Sequence, residues 1–392
     1  MAYTDSSALA GLVKTAYDRY VEFALRAQPL IRSVADKRPA QQAMPGSSVV
    51  FSIYNDLSPA TATLTETTDP DAIALSDVTT VAVTLNEYGN ASLVTRKLQL
   101  FSLSDVDPAV ADIIAFNMAD SLDKVALEVL RVGTNVIYSA SSTARTSTAT
   151  VTATDTITAA NIRKAVAKLR ANKAVPREGS LYWAGIHPEV SHDLRAETGA
   201  GGWNDMHKYA ETGTGQFWPG TIGTYEGAYF VETPRLYRGV DGADASALAT
   251  TAVTVAGASG GLTLGVASTS VIATSAEAGD KISGTGIASG AKIASLVTSG
   301  STTTITVDTV HTAAVTATTV VTVTPVTAVY RTILAGKQAL AEAVAQEPNV
   351  VIGPVTDRLM RFRPIGWYGV LGFSLYRQAA LYRIESGSSI SA

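Results

Sequence analysis

The stretch Asp107 to Gly133, DPAVADIIAFNMADSLDKVALEVLRVG, decides how the rest of the chain is read. Asp107 offers a side-chain acceptor at an N-cap, Pro108 fits a first helical turn where its missing N–H costs nothing, and Gly133 can take the left-handed conformation that ends a helix. Between them Val110, Ile114, Met118, Leu122, Val125, Val129 and Val132 recur at steps of four or three, with Asp112, Asp120, Asp123, Lys124, Glu128 and Arg131 distributed around the stripe. The spacing predicts one amphipathic helix over about 108–132, roughly 37 Å long. Such a helix needs an extended surface to lie on. Any α/β protein can supply one, so the flanking segments decide what the helix belongs to.

Upstream, Ser6 or Ser7 can cap a first helix in which Leu9, Val13, Tyr17, Tyr20 and Ala24 recur at helical spacing until Pro29 interrupts it, an N-terminal arm with one apolar face. After a break at Pro39 to Gly46, Ser48 to Tyr54 reads as a strand, and Val81, Val83 and Leu85 alternate in a second strand able to pair with it. The connection, Asn55 to Asp77, is rich in Thr, Ser, Pro and acid, whereas hairpin loops ordinarily span about two to five residues. A connection of that length needs a partner of its own, so it reads as an extended arm that reaches onto another surface.

Downstream, Ser139 to Thr154 has strand character, and a helix is predicted from about Thr158 to Lys173 with Ile162, Val166 and Leu169 inward and Arg163, Lys164, Lys168, Arg170 and Lys173 outward. That basic face reads as a solvated one, because no aromatic residue is interleaved with the charges. Leu181 to Ile186 reads as a buried strand, His187, Pro188 and Glu189 open a short helix, Gly199 to Gly227 reads as a loop, and Ala228 to Val231 is a strand stopped near Pro234. From about Ala249 to Pro325 the composition changes. The segment holds no aromatic side chain and only five charges, Glu277, Asp280, Lys281, Lys292 and Asp308, and its runs at Ile293 to Val297, Thr304 to Val307 and Val320 to Val323 with turns at Gly290 and Gly300 predict an inserted all-β sandwich or barrel without helix. A disordered Thr-rich linker is the competing reading, and the alternation favours strands. Val326 to Leu334 reads as a strand, Lys337 to Gln346 as a helix, Val350 to Arg383 as mixed strand and turn, and Ser386 to Ala392 as a frayed end.

At 392 residues, 46% hydrophobic and 16% charged, the chain has enough apolar content for a large core and for two or three domains. A formal net charge of −4 gives no general attraction to nucleic acid or anionic lipid, so any DNA contact must be local. Without cysteine there is no disulfide framework, thiolate nucleophile or Cys-based zinc site, and no membrane-spanning run or signal peptide is expected. Gly257, Ser259 and Gly261 spell G-x-S-x-G, but in low-complexity β sequence rather than at a strand-to-helix turn. Gly336-Lys337 has Arg331 where a phosphate-binding loop needs its first glycine and Gln338 where it needs a hydroxyl. His187, His192, His207 and His311 have no metal-ligand spacing, and no carboxylate pair is set up for acid/base work. No catalytic residue, cofactor or metal is expected, and the chain reads as a non-enzyme.

Several segments in order resemble a tailed-bacteriophage major capsid protein of the Hong Kong 97 fold, in the branch of the phage N4 coat protein. They are Leu64-Thr65-Glu66 through Pro70 with Val81 to Leu85 and Glu87-Tyr88-Gly89, then Tyr182 with His187-Pro188-Glu189-Val190 and Asp193-Leu194-Arg195. Gly220, Ile222-Gly223, Tyr225, Gly227 and Val231-Glu232-Thr233-Pro234 follow, then Tyr330, Gly336-Lys337-Gln338-Ala339, Ile365-Gly366-Trp367 and Leu381 to Ser386. The resemblance covers most of the chain except Asp241 to Pro325. It implies an α+β architecture with an N-terminal arm (1–46), an extended-loop hairpin (47–100), peripheral and axial domains opened by a spine helix (101–240) and closed by 326–392, and an inserted β-domain (241–325).

The implied function is self-assembly through hexamers and pentamers into an icosahedral shell around double-stranded DNA, in the virion and put together in the host bacterial cytoplasm. Leu9, Val13 and Tyr17 on the arm and Leu64, Glu66 and Asp69 in the loop are the candidate intersubunit contacts. The implied partners are other copies of the chain, a separate scaffolding protein, a portal, a decoration protein and packaged DNA held by non-specific contact, with no membrane. A scaffold of its own is not expected, since only about a hundred residues precede the spine helix and the arm and loop take up nearly all of them. Isopeptide cross-links from the loop are not expected either, since no lysine lies between Lys37 and Lys97. The readings of other classes are a hydrolase with an appended β-module and a surface adhesion protein built of β-modules.

Overall fold

The computed structural model describes residues 28–39, 48–101, 106–197, 221–354, 359 and 361–390, less 55, 62, 65, 68–72, 75–77 and 142. In chain order its first elements are β1 (Ala35–Pro39), β2 (Ser48–Ile53), β3 (Thr79–Thr84), β4 (Asn86–Thr95), α1 (Arg96–Phe101), α2 (Val106–Leu130), β5 (Val136–Tyr138), α3 (Ala159–Ala171), β6 (Tyr182–Ile186) and α4 (Pro188–Ala196). There follow β7 (Thr221–Tyr225), β8 (Ala228–Glu232), β9 (Arg238–Asp244), β10 (Thr251–Val255), β11 (Thr263–Ala267), α5 (Val271–Ser275), β12 (Lys281–Gly284), β13 (Ile293–Ser299), β14 (Thr302–Val307) and β15 (Val320–Thr324). The last are β16 (Val326–Ala335), β17 (Leu340–Ile352), β18 (Phe362–Leu375) and β19 (Leu381–Ser386). The fold is mixed α/β and mostly sheet, in two compact units.

The first unit holds Met1–Arg32, Lys37–Ala126 and Ala341–Ser374. Its sheet has the order β1-β17-β18-β4, with β18 antiparallel to β4 from Phe362↔Thr95 to Leu371↔Asn86. The long helix α2 is present, and its stripe holds through Leu122; beyond that Ala126, Leu127 and Leu130 are buried, and Val125 and Val129 only partly so. Ile114 and Leu122 are buried in one core with Val94, Val344, Ile365, Trp367 and Leu371, while Val110 and Met118 pack at its margin. Asn117 adds a polar fix, its side-chain oxygen accepting from Trp367 Nε1 at 3.0 Å and from Asn90 Nδ2 at 3.3 Å. The expected hairpin is also present, β2 against β3 from Ser48↔Thr84 to Ile53↔Thr79.

Both ends of α2 depart from the sequence reading. The helix starts at Val106, so Asp107 lies in its first turn rather than at the cap. At the other end Arg131 N–H still bonds Leu127 O, but Val132 and Gly133 bond Val129 and Leu130 three residues back. That tightening rotates Val132 off the stripe and leaves it 65% exposed. Asp123, expected on the charged face, is buried.

The second unit holds Ser33–Asp36, Leu127–Leu340 and Leu375–Ala392. Its seven-stranded sheet runs β5-β19-β16-β6-β8-β7 with β9 also on β16; β19 with β5 and β6 with β8 are parallel pairs and the others antiparallel. Ile162, Ala165, Val166 and Leu169 of α3 and Val190 and Leu194 of α4 share a core with Tyr182, Phe230, Tyr330 and Ile384 of the strands. Between β9 and β16 the chain makes a six-stranded antiparallel sheet, β12-β15-β10-β11-β14-β13, over a core of its own that includes Val253, Leu264, Val266, Ile305, Val321 and Val323. Gly290 and Gly300 take φ of +78° and +60° in its turns, as their spacing predicts. The helix-free expectation fails at α5, where Ser270 Oγ accepts from Ala273 N–H and starts a turn of helix.

Four further expectations are corrected. Lys337 to Gln346 is not helical: Leu340 to Val344 are all buried in β17, between two strands, and that burial overrides the helix propensity of Leu, Ala and Glu. Among its described residues Ser139 to Thr154 forms no strand, only a 3-10 turn at Thr148–Thr150, because Asp155 gathers the loop around its carboxylate. The Gly199 to Gly227 region contains β7, which pairs with β8. The end is fixed rather than frayed through Ser389, since Ser388 is buried and Ser389 N–H bonds Asp193 Oδ2 at 2.9 Å.

Candidate assembly surfaces

Nothing between β2 and β3 among the described residues is helix or strand, and the large apolar side chains there, half-buried Val78 apart, face solvent. Tyr54 is 81% exposed, Leu64 76% and Ile73 71%, with Leu57 exposed beside them. Burying such a side chain is worth about 1.5–3 kcal/mol, so four of them exposed along one segment make it a candidate contact surface. Leu64 and exposed Glu66 share this segment, as the sequence reading placed them. Asp69 lies outside the described residues, as do Leu9, Val13 and Tyr17. The sequence reading missed Tyr54, Leu57 and Ile73, although isolated apolar residues in a Thr, Pro and acid background were the available signal.

The chain enters the first unit through a polar clip that no motif announces. Ile31 is fully buried, Arg32 N–H donates to Asp123 Oδ1 at 2.9 Å, and Arg32 Nε donates to Glu342 Oε1 at 2.8 Å. Burial pushes the Asp123 carboxyl up from its ordinary value, while the backbone N–H groups of Arg32, Ile31 and Leu30 act the other way. This clip fixes the point from which the chain before residue 31 departs.

In the second unit the polar groups are arranged to hold elements together. His187 caps α4, its Nδ1 accepting from Glu189 N–H at 3.4 Å, and its ring lies 5.0 Å from that of Tyr330. The Tyr330 hydroxyl donates to Glu189 and accepts from Arg238 Nε at 3.0 Å. Burial pulls the His187 pKa down, with Arg238 adding to the effect and Glu189 and Glu232 opposing it. Asp155 accepts from the Ser141 and Thr152 N–H groups at 2.8 and 2.9 Å and from Arg145 Nε at 2.7 Å. Burial alone raises such a carboxyl, but these donors together hold it well below the usual carboxylate range. Glu385, also buried, takes Arg331 and Arg383 at 3.0 Å each.

The motifs set aside in the sequence have structural roles. Gly257 bridges Val315, Gly260 N–H bonds His311 O, and His311 Nε2 lies 3.3 Å from Thr263 O, with no hydrogen bond to Ser259 among the described residues. The amides of Gly336 and Lys337 donate to Ala380 O and Val175 O, and that of Gln338 to Asp36, so none is left to cradle a phosphate. No group of His, Asp or Glu able to hold a metal is found among the described residues. No described helix is long and apolar enough to cross a membrane.

Solved structures place this fold. The chain is similar to the capsid of cyanophage Pam1, with 13% identity over 97% of each chain and a TM-score of 0.60. It is also similar to the capsid of Ralstonia phage GP4, with 12% identity over 96% of each chain and a TM-score of 0.60. A chain from Mycobacterium phage Che8 matches with 14% identity over 95% of this chain and 97% of that one, at a TM-score of 0.54. At such identities these likenesses speak for the fold alone. No curated protein sequence matches. The family described as phage capsid protein matches residues 7–381, and the chain belongs to that family. It is a tailed-phage major capsid protein, a virion component that forms the shell with other copies of itself.

Proposed function

We propose that the chain builds an icosahedral shell around double-stranded DNA by the Hong Kong 97 plan, through pentamers and hexamers, in the branch of the phage N4 coat protein. The observation that carries this is the segment between β2 and β3, whose Tyr54, Leu57, Leu64 and Ile73 are exposed and join no core among the described residues. On this reading the first unit, crossed by α2 and carrying the extended loop, is the peripheral domain, and the seven-stranded sheet is the axial domain at the centre of each capsomer. The arm before residue 28 and the loop, with Leu9, Val13, Tyr17, Leu64, Glu66 and Asp69, lie over the next subunit. The interfaces are then heterologous and close by rotation into rings.

The six-stranded sheet is an inserted β-domain on the outer surface. The role is structural and non-enzymatic. Assembly takes place in the host bacterial cytoplasm with a separate scaffolding protein, a portal and a decoration protein, and without loop isopeptides. Co-expression with a candidate scaffolding protein, followed by sedimentation and negative-stain microscopy, tests the reading. Closed shells are expected, and replacing residues 56–77 by a short Gly/Ser link should give a folded protein that stays unassembled. Shells of normal yield from that deletion would overturn the role of the loop.

A further inference from the structure

The outer face of α3 carries cations and no acid of its own. Arg163, Lys164, Lys168 and Arg170 are exposed on it, exposed Lys173 follows just past the helix end with φ of +54°, and Thr158 to Lys173 contains no acid. Among the described residues Lys164, Lys168 and Lys173 make no ion pair, and Arg163 has only Glu226, at 3.9 Å. A merely solvated helix face is ordinarily mixed, as α2 shows with Lys124 paired to Asp120 at 3.1 Å and Arg131 to Glu128 at 2.6 Å. In a chain of net charge −4, an all-cation face runs against the composition.

We propose that this face of α3 is a contact surface for the phosphate backbone of duplex DNA, on the inside of the shell. The proposal rests on the reading that the shell encloses double-stranded DNA. The four helical cations, Arg163 to Arg170, span about 10 Å of helix axis and Lys173 carries the patch past its end, and a DNA strand presents a phosphate about every 3.4 Å along its own axis, so the patch can meet four or five phosphates. The missing aromatic residues argue against stacking on single-stranded bases, and contact with a duplex backbone needs none. The partner is DNA of any sequence, since nothing on this face is set to read base edges.

The test uses the full-length protein and the variant R163Q/K164Q/K168Q/R170Q/K173Q. Gln keeps about the same helix propensity as Lys and Arg, so α3 should still form. Binding to a short labelled DNA duplex is followed by fluorescence anisotropy as salt is raised. Five phosphate contacts predict a loss of about 500-fold in affinity between about 50 and 200 mM salt, and the variant should lose most of that dependence. Removing Arg96, Lys97 and Lys124 together should leave the α3 contribution in place. In particles, the variant shells should form and release their DNA at lower salt or temperature than the parent.

Unchanged affinity and salt slope in the variant would overturn the proposal while leaving the shell reading intact. A variant that melts normally in circular dichroism yet forms no shells would overturn it too, by assigning α3 to an acidic surface of a neighbouring subunit. Failure of the parent protein to form shells under any condition would strike the shell reading instead, and the duplex-binding measurement on soluble protein separates the two.

Discussion

Arg32 Nε donates to Glu342 Oε1 at 2.8 Å, and the Glu342 side chain is wholly buried while Arg32 is only partly so. The guanidinium is thus the neutralising partner of a carboxylate inside a sheet. Arg32→Ala would strand that charge, and a loss of about 3–5 kcal/mol from the first unit is expected. Glu342→Gln, which removes the charge and keeps the shape, should cost less. Thermal melting with hydrogen exchange read along β17 distinguishes them, and equal effects would mean that the pair is not what anchors the segment.

Asp155 holds its loop as a carboxylate. Its folded pKa is depressed, so its contribution is complete above the ordinary carboxylate value of 3.8 and is lost as pH falls below that value towards the folded one. Asp155→Ala should destabilise the second unit by about 3–5 kcal/mol at neutral pH, with Arg145 left beside an empty site. Unfolding curves of parent and variant should then converge in strong acid, and a pH-independent gap would refute the assignment.

His187 behaves in the opposite chemical sense but with a similar direction. Its folded pKa is lowered, so the neutral ring's contribution is full above about pH 6.5 and fades as pH drops below the ordinary histidine value. His187→Asn keeps an acceptor at the cap and cannot titrate; a flatter stability profile between about pH 5 and 7 is expected, with about 1–2 kcal/mol lost at neutral pH from packing. Circular-dichroism melts across that range decide it, and an unaltered slope would place the titration elsewhere.

Excision of the six-stranded sheet should be tolerated. Val326 pairs with Asp244 in the β9–β16 ladder, and Ala245 N–H bonds Pro325 O at 2.8 Å, so the chain leaves and returns at neighbouring points. Replacing 249–324 by a short Gly/Ser link should leave shells that assemble, somewhat less stable because Val326 N–H loses Asp280 Oδ1 at 3.1 Å. An antibody against the segment should label intact particles. A folded deletion protein that never assembles would show the segment to be an intersubunit contact.

The sequence was most legible where one periodicity met one partner surface. The first half of the α2 stripe, the β2–β3 hairpin and the strand at Thr304 were readable because burial there follows local spacing, whereas β13 was readable from its bracketing glycine turns, only Ile293 of it being buried. It was least legible where distant groups decide. Leu340 to Gln346 is written in helix formers and becomes a strand through neighbours far away in the chain, and Asp155 turns a strand-like Ser/Thr run into a loop by collecting its donors. Asp123 read as one of the charges around the α2 stripe, and nothing local singled out Glu342, until the structure sets Arg32 against both. The candidate assembly surface was legible as a kind of segment rather than as a set of contacts, since Leu64 is exposed and nothing in the chain's own sequence says what would cover it.

The adjacency of Asp244 and Val326 also governs how the six-stranded sheet answers to mechanical load. A pull on it is delivered to the open end of the antiparallel β9–β16 ladder, where hydrogen bonds break in succession, like a zipper, rather than together in shear. The fork is guarded by Lys281 clasping Asp244 at 2.5 Å, by Asp280 holding Val326 N–H, by Ala245 N–H on Pro325 O and by Lys292 Nζ on Val240 O at 3.2 Å, ties that load before the ladder opens. Drag or adhesion at the tip would therefore peel this module from its root under modest force, and the seven-stranded sheet beneath would be spared.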